Sequence, residues 1–175
     1  MKDPSPFKRL WAPWRIPWIR ESAGGVSDCF ICDMINANSS EDRENLLLYR
    51  GKKALILFNR YPYSNGHLMI SPYRHLDDPR QMEAEEWAEI GLLTQLSLQI
   101  LEKAMNPHGF NIGWNIGRTS GAGLEQHIHQ HIVPRWDGDT NFMPVIGSTK
   151  VISQDIWESY DELKKELLKL EFKKN

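Results

Sequence analysis

Apolar positions between 46 and 58 gather in two short runs, Leu46 to Tyr49 and Ala54 to Phe58, with a break around Gly51. Runs of that length joined by so short a break predict a β-hairpin. A third run, Leu68 to Ser71, follows the turn residues Pro62, Ser64, Asn65 and Gly66 and stops at Pro72, so it reads as a third antiparallel strand. From Gln81 to about Met105 the residues are strong helix formers, and Trp87, Ile90, Leu93 and Ile100 recur at spacings that give one inward stripe. Pro107 and Gly109 end that helix, and His108 between them reads as a loop residue. Phe110 to Asn115 and His127 to Val133 then predict two further strands, joined by a loop carrying Gly117, Gly121 and Gly123. Near the C-terminus, Ile156, Tyr160, Leu163, Leu167 and Leu170 alternate at four and three, which predicts an amphipathic helix capped near Ser153 or Asp155. Strands, one central helix and strands again indicate an α+β fold.

The chain divides into three parts: an arm over 1–25, one domain over 26–152, and a C-terminal helix over 153–175 that packs on the domain or on a twin. The arm is rich in Trp and Pro (Leu10, Trp11, Pro13, Trp14, Arg15, Pro17, Trp18) and ends at Gly24 and Gly25. Its indoles either bury apolar area against the domain or a sister subunit, or they touch a ligand. A chain of 175 residues, 41% hydrophobic and 25% charged, can bury a core without covalent staples. The formal charge of −2 gives no polyanion-binding surface, so long nucleic acid is not an expected partner and phosphate recognition must be local. No apolar run approaches the roughly 20 residues of a membrane span, nor is there a secretory signal, so a cytoplasmic protein without membrane contact is expected. The only cysteines, Cys29 and Cys32, are spaced as a metal or redox pair in a reducing compartment, not as a disulfide framework.

Histidine placement carries the chemistry. In Gln126-His127-Ile128-His129-Gln130-His131-Ile132-Val133, histidines alternate with other residues in a segment of strand composition. Successive strand side chains point to opposite faces, so His127, His129 and His131 form one row while Ile128, Gln130 and Ile132 face the other way. Such a row is either a solvent-facing polar strip, a bare metal clip, or a reaction centre; the Gly-rich loop before it favours the last, because such turns cradle phosphates.

The stretch His127 to Val133 resembles the signature of the histidine triad (HIT) family, His-φ-His-φ-His-φ-φ with φ apolar, from which Gln130 departs. Asn59-Arg60-Tyr61-Pro62, Gly66-His67 and Ser71-Pro72-Tyr73-Arg74-His75 are similar to a second conserved block, and the likeness spans residues 29 to 136. Leu10-Trp11-Ala12-Pro13-Trp14-Arg15 at the start resembles bacterial members of the diadenosine tetraphosphate phosphorylase-like branch. So do Pro134-Arg135-Trp136, Gly138-Asp139, Asn141-Phe142 and Thr149-Lys150-Val151 towards the end.

The resemblance implies a five-stranded antiparallel sheet with a central and a C-terminal helix, paired as a homodimer through the central helix and a sheet edge. It implies that His129 attacks the α-phosphorus of a nucleotide, that His131 donates to phosphate oxygens or the leaving group, and that His67 approaches from the neighbouring strand. Asn59 takes the position of a ribose-binding residue, which on its own would also suit a turn cap. Asn115, Gly121, Ala122 and Gly123 occupy the phosphate-binding position, where the family usually adds a Ser, Thr or Gln. Here backbone amides of Ala122 and Gly123 substitute, or Thr119, Ser120 or Gln126 does, or the glycines only make a tight turn.

Cys29, Cys32, His75 and His127 match the Cys2His2 zinc site of some relatives and of galactose-1-phosphate uridylyltransferases, which would be structural. The other reading is two buried reduced cysteines without metal. No organic cofactor is implied. The reaction implied is diadenosine tetraphosphate plus inorganic phosphate giving ADP and ATP. Nucleotide hydrolysis, phosphoramidate cleavage, or a nucleotide-binding regulatory module stand as alternatives.

Overall fold

The apolar runs become strands, in a computed structural model that describes residues 29–140, residue 146 and residues 151–172, without the side chains of 171 and 172. The arm over 1–25 lies outside the described residues, as do Asn141, Phe142, Thr149 and Lys150 of the branch motifs. In chain order the elements are α1 (Phe30–Asn36), β1 (Leu47–Arg50), β2 (Ala54–Phe58), β3 (Leu68–Pro72), α2 (Ala84–Met105), β4 (Gly109–Trp114), β5 (Gln130–Arg135) and α3 (Ile156–Phe172). Every strand pairing is antiparallel, and the five strands lie in the order β1-β2-β3-β5-β4. The α+β class and the five-stranded sheet expected from the sequence are therefore present. No described helix is long and apolar enough to cross a membrane.

Strand alternation sorts side chains between two apolar layers. Leu48, Ile56, Leu68, Ile70, Ile128 and Ile132 meet Ile90, Leu93, Ile100 and Leu101 of α2 and Tyr160, Leu163 and Leu167 of α3. On the other face Leu47, Leu55, Leu57 and Met69 meet Cys29 and Ile31. Both faces of β2 are covered, which is why its five residues read as an unbroken apolar run. The C-terminal helix is tied to β1 by polar contacts as well: Tyr160 Oη donates to Leu47 O (2.9 Å) and Lys164 Nζ to Leu48 O (2.8 Å). Asp155 caps it, accepting from the N–H of Trp157 at 2.8 Å, while Ser153 instead accepts from Asn65.

Three boundaries or faces differ from the sequence reading. Residues Pro79–Gln81 form a 3-10 turn, and α2 begins only at Ala84 behind a capping box of Glu83 and Glu86. Trp87, expected inward, is 45% exposed. The inward place is taken by Glu86, 2% exposed, whose carboxylate is held by the Arg74 guanidinium at 2.7 and 2.8 Å. Trp87 packs sideways on Trp114, with ring centroids 5.8 Å apart. Finally, β5 pairs only from Gln130, not from His127. Residues 127–129 leave the ladder because Ile128 N–H bonds to Leu76 O beyond β3, and Ser71 Oγ donates to Ile128 O at 2.9 Å.

Gln130, the polar departure at an apolar position, faces α2, where its amide pairs with the Thr94 hydroxyl at 2.6 Å. A half-buried polar group with a partner costs little, so the departure is absorbed by a matching polar residue on the helix.

The turn into β3 has no room to spare. Gly66 has φ +68°, and a Cβ there would lie 2.6 Å from Met105 Sδ and 3.0 Å from Leu101 Cδ2. Gly66→Ala should therefore lose about 1–3 kcal/mol of stability by chemical denaturation; an unchanged midpoint would show that the turn is not so constrained.

Candidate active site and metal centre

Cys29 precedes α1 and caps it through its sulfur, which accepts the N–H of Cys32 at 3.4 Å. That turn brings both sulfurs to the end of β3 and the approach to β5. Cys29 Sγ lies 3.2 Å from His127 Nδ1, and Cys32 Sγ lies 3.1 Å from His75 Nδ1 and 3.5 Å from His127 Nδ1. The Nε2–H of His127 donates to Pro72 O at 3.0 Å, so its Nδ1 lone pair is the one turned to the sulfurs. All four donor atoms lie within 4.8 Å of one another, and these residues could hold a metal ion. Metal–sulfur bonds of about 2.3 Å and metal–nitrogen bonds of about 2.05 Å at tetrahedral angles set sulfur and nitrogen about 3.6 Å apart, close to the observed spacings. Without metal, burial pushes the Cys29 thiol up to about 11 and His127 down to about 4. For His127 the hydrogen bond to Pro72 opposes the shift only in part.

His129 is buried, and its Nδ1–H donates to the backbone carbonyl of His127 at 2.9 Å. That bond assigns the proton to Nδ1 and leaves the Nε2 lone pair free. Burial also lowers the His129 pKa, so the ring is held neutral. His131 belongs to a second chain of contacts. The Tyr63 N–H donates to His67 Nδ1 at 3.0 Å, so His67 carries its proton on Nε2, which faces His131 Nδ1 at 3.0 Å. His131 then carries its own proton on Nε2, 3.4 Å from the Asn115 side-chain amide, which must turn its oxygen to the ring to accept that proton. The His129 and His131 rings are 4.9 Å apart and nearly perpendicular. His67 is fully buried and does not line the cleft; its Nε2 faces His131, which does.

His129 and His131 open onto a cleft of about 440 Å³ that Asn59 and Gly123 also line. Asn59 caps the turn, its Oδ1 accepting the Tyr61 N–H at 2.9 Å, and it borders the cleft. Gly117 (φ +74°) and Gly121 (φ +84°) use backbone that side-chain-bearing residues rarely adopt, which explains the turn around Arg118–Ser120. Ser120 Oγ donates to Gly117 O within that turn, at 2.7 Å. Ala122 sits between Gly121 and Gly123, half-buried. Of the twelve residues expected at the site, Cys29, Cys32, His75 and His127 cluster together, His129, His131, Asn59 and Gly123 line the cleft, His67 and Asn115 contact His131, and Gly121 and Ala122 precede Gly123 on its loop. An apolar wall made by Phe30, Met34 and Leu124, with Asp33 beside it, was not expected. The signal was present in Phe30 and Met34, four apart and so on one face of α1.

Residues 40–138 match the family model described as HIT domain. The chain belongs to the HIT domain family. This HIT protein is 37% identical over 156 residues to the AP-4-A phosphorylase of Mycobacterium tuberculosis, an alignment covering 85% of this chain and 78% of that one. It is 25% identical over 124 residues to the bis(5'-adenosyl)-triphosphatase of Dictyostelium discoideum, covering 71% of this chain and 82% of the relative. Among solved structures, a zinc-bound histidine triad family protein from Mycobacterium smegmatis superposes with a TM-score of 0.66 at 23% identity, over 85% of this chain and 99% of that one. At that identity it shows the fold.

With His127 at about 4 in the folded metal-free protein and near 6.5 when unfolded, the neutral ring stabilises the fold above pH 6.5. That contribution is lost as pH falls from 6.5 through about 4. An NMR titration of the metal-free protein should place the His127 midpoint near 4 with thermal stability falling over the same range; a midpoint near 6.5 would contradict the burial argument.

Proposed function

We propose that this chain is a nucleotidyl transferase that cleaves diadenosine polyphosphates, taking diadenosine tetraphosphate and inorganic phosphate to ADP and ATP. The observation that carries this reading is the hydrogen bond from His129 Nδ1 to His127 O, which aims a neutral, unprotonated Nε2 at the cleft. In the first step the Nε2 lone pair attacks the α-phosphorus and forms a P–N bond. The P–O bond to the leaving ATP breaks, and its electron pair stays with ATP, beside the Nε2–H of His131. In the second step a phosphate oxygen attacks the same phosphorus, the P–N bond breaks, and its electron pair returns to His129. Water in place of phosphate would give AMP.

Asn59 would hold the ribose hydroxyls. Asn115 and the backbone of Gly121, Ala122 and Gly123 would hold phosphate oxygens, and the apolar wall of α1 would take the base. The names of the two relatives, a phosphorylase and a triphosphatase of diadenosine polyphosphates, support the substrate class. Cys29, Cys32, His75 and His127 would hold zinc with all four positions filled by protein, so its contribution is to fix the approach to β5. Two copies would pair through the exposed edge formed by β4 and the outer side of α2, where Trp87, Leu92 and Ile112 are exposed. A cytoplasmic setting fits reduced thiols.

Incubating the protein with diadenosine tetraphosphate, with and without inorganic phosphate, should give ADP only when phosphate is present; AMP in both cases would make it a hydrolase. His129→Asn should lose at least about a thousandfold in kcat while retaining nucleotide binding, and full activity in that variant would reject the assignment. Because the His129 pKa is depressed, the nucleophile stays unprotonated below 6.5, so the acid limb of kcat/KM attributable to it should fall below that value. Elemental analysis of chelator-free protein should find about one zinc per chain; folded, metal-free protein would remove the metal claim.

A further inference from the structure

Most arginines in the described residues are engaged with carboxylates. Arg43, Arg50, Arg74, Arg80 and Arg135 hold Asp161, Asp42, Glu86, Asp78 and Asp139 respectively. Arg60 and Arg118 have no carboxylate partner among the described residues; Arg60 lines the cleft, and Arg118 sits on the loop whose Gly123 borders it. Arg60 follows β2 by two positions and is the one cationic side chain among the described residues lining the cleft. Its one hydrogen bond among the described residues, from Nη2 to Glu44 O, is 3.5 Å long and too weak to fix it. It also lines a neighbouring cavity of about 260 Å³ that shares Phe58 with the cleft, so its side chain stands where the two spaces adjoin. Arg118 is exposed on the turn Arg118–Ser120 of the β4–β5 loop, the loop whose Gly123 borders the cleft.

The charge balance of the cleft gives these two side chains a task. Besides Arg60, the cleft-lining side chains that carry charge are Asp33 and Glu41, both acidic. A polyphosphate carries negative charge on every phosphate, and two carboxylates in the cleft wall do nothing to offset it. An arginine already paired must break that pair to bind an anion, whereas an unpaired guanidinium can present two parallel donors to a phosphate at no such cost.

We infer that Arg60, assisted by Arg118, forms a polyphosphate subsite that grips the phosphates beyond the one attacked, and so selects dinucleoside polyphosphates over nucleoside monophosphate amidates. The inference rests on the proposed transfer at His129 and deepens it by naming what sets the substrate class.

The test compares kcat/KM for diadenosine tetraphosphate with kcat/KM for adenosine 5′-phosphoramidate in the full-length protein, for Arg60→Gln, Arg118→Gln and the double variant. The ratio should fall about tenfold in Arg60→Gln, mainly through KM, fall further in the double variant, and recover in part in Arg60→Lys. The wild-type preference should also shrink as salt rises. A ratio within twofold of wild type, or equal losses on both substrates, would overturn the subsite. A second arm keeps this separate from the proposed reaction: in the His129→Asn background, calorimetry measures affinity for diadenosine tetraphosphate and for AMP. If the wild type turns over neither substrate, the reaction is wrong. The arginines are then still judged by whether Arg60→Gln weakens tetraphosphate binding about tenfold more than AMP binding, and equal weakening rejects them.

Discussion

One residue, His127, ties the two halves of the site together. Its ring is turned to the thiols of Cys29 and Cys32 by the bond from Nε2 to Pro72 O, and its main-chain carbonyl receives the Nδ1–H of His129. The side chain of His127 and the ring of His129 are thereby set by the same short stretch of backbone. That stretch departs from the β5 ladder, bonding instead to Leu76 and Ser71. A regular strand would place the three rings in a row; this departure also makes the first of them a partner for the cysteines and leaves the second neutral with a free Nε2.

The rest of the fold serves that arrangement by separating apolar support from polar chemistry across the sheet. Ile128 and Ile132 sink into the layer under α2 and α3, and Gln130 between them is matched to Thr94. Each side chain between the histidines thus anchors the segment from behind. On the opposite face, β3 supplies Met69 opposite His131, and the turn before β3 supplies the Tyr63 N–H that sets the tautomer of His67 and, through it, that of His131. Both ring orientations in the cleft therefore trace back to backbone groups, which are stiffer than side chains.

Much of this was legible in the sequence because period-two alternation is a geometric rule: it assigned His127, His129 and His131 to one face and Ile128, Gln130 and Ile132 to the other. The spacing of Cys29 and Cys32, with His75 and His127, was equally readable by resemblance, since ligand sets travel with their spacing. Other features depended on contacts that no local pattern encodes. Trp87 fitted the inward stripe, yet Glu86 took that place because Arg74 neutralises it from β3's far end. The start of β5 shifted by three residues because Leu76, remote in sequence, competes for Ile128. The apolar wall from Phe30 and Met34 was not legible from that pair alone because α1, at seven residues, is too short to show a helical period.

The most direct measurement is to quench the protein in alkali during turnover of diadenosine tetraphosphate and sequence its histidine-containing peptides by mass spectrometry. If the free Nε2 of His129 is the nucleophile, one adenylyl group will be found on His129 and on no other histidine, and it will be released as ADP when inorganic phosphate is added before the quench. Turnover with His129 unmodified, or an adduct carried by His131 or His67, would contradict the account.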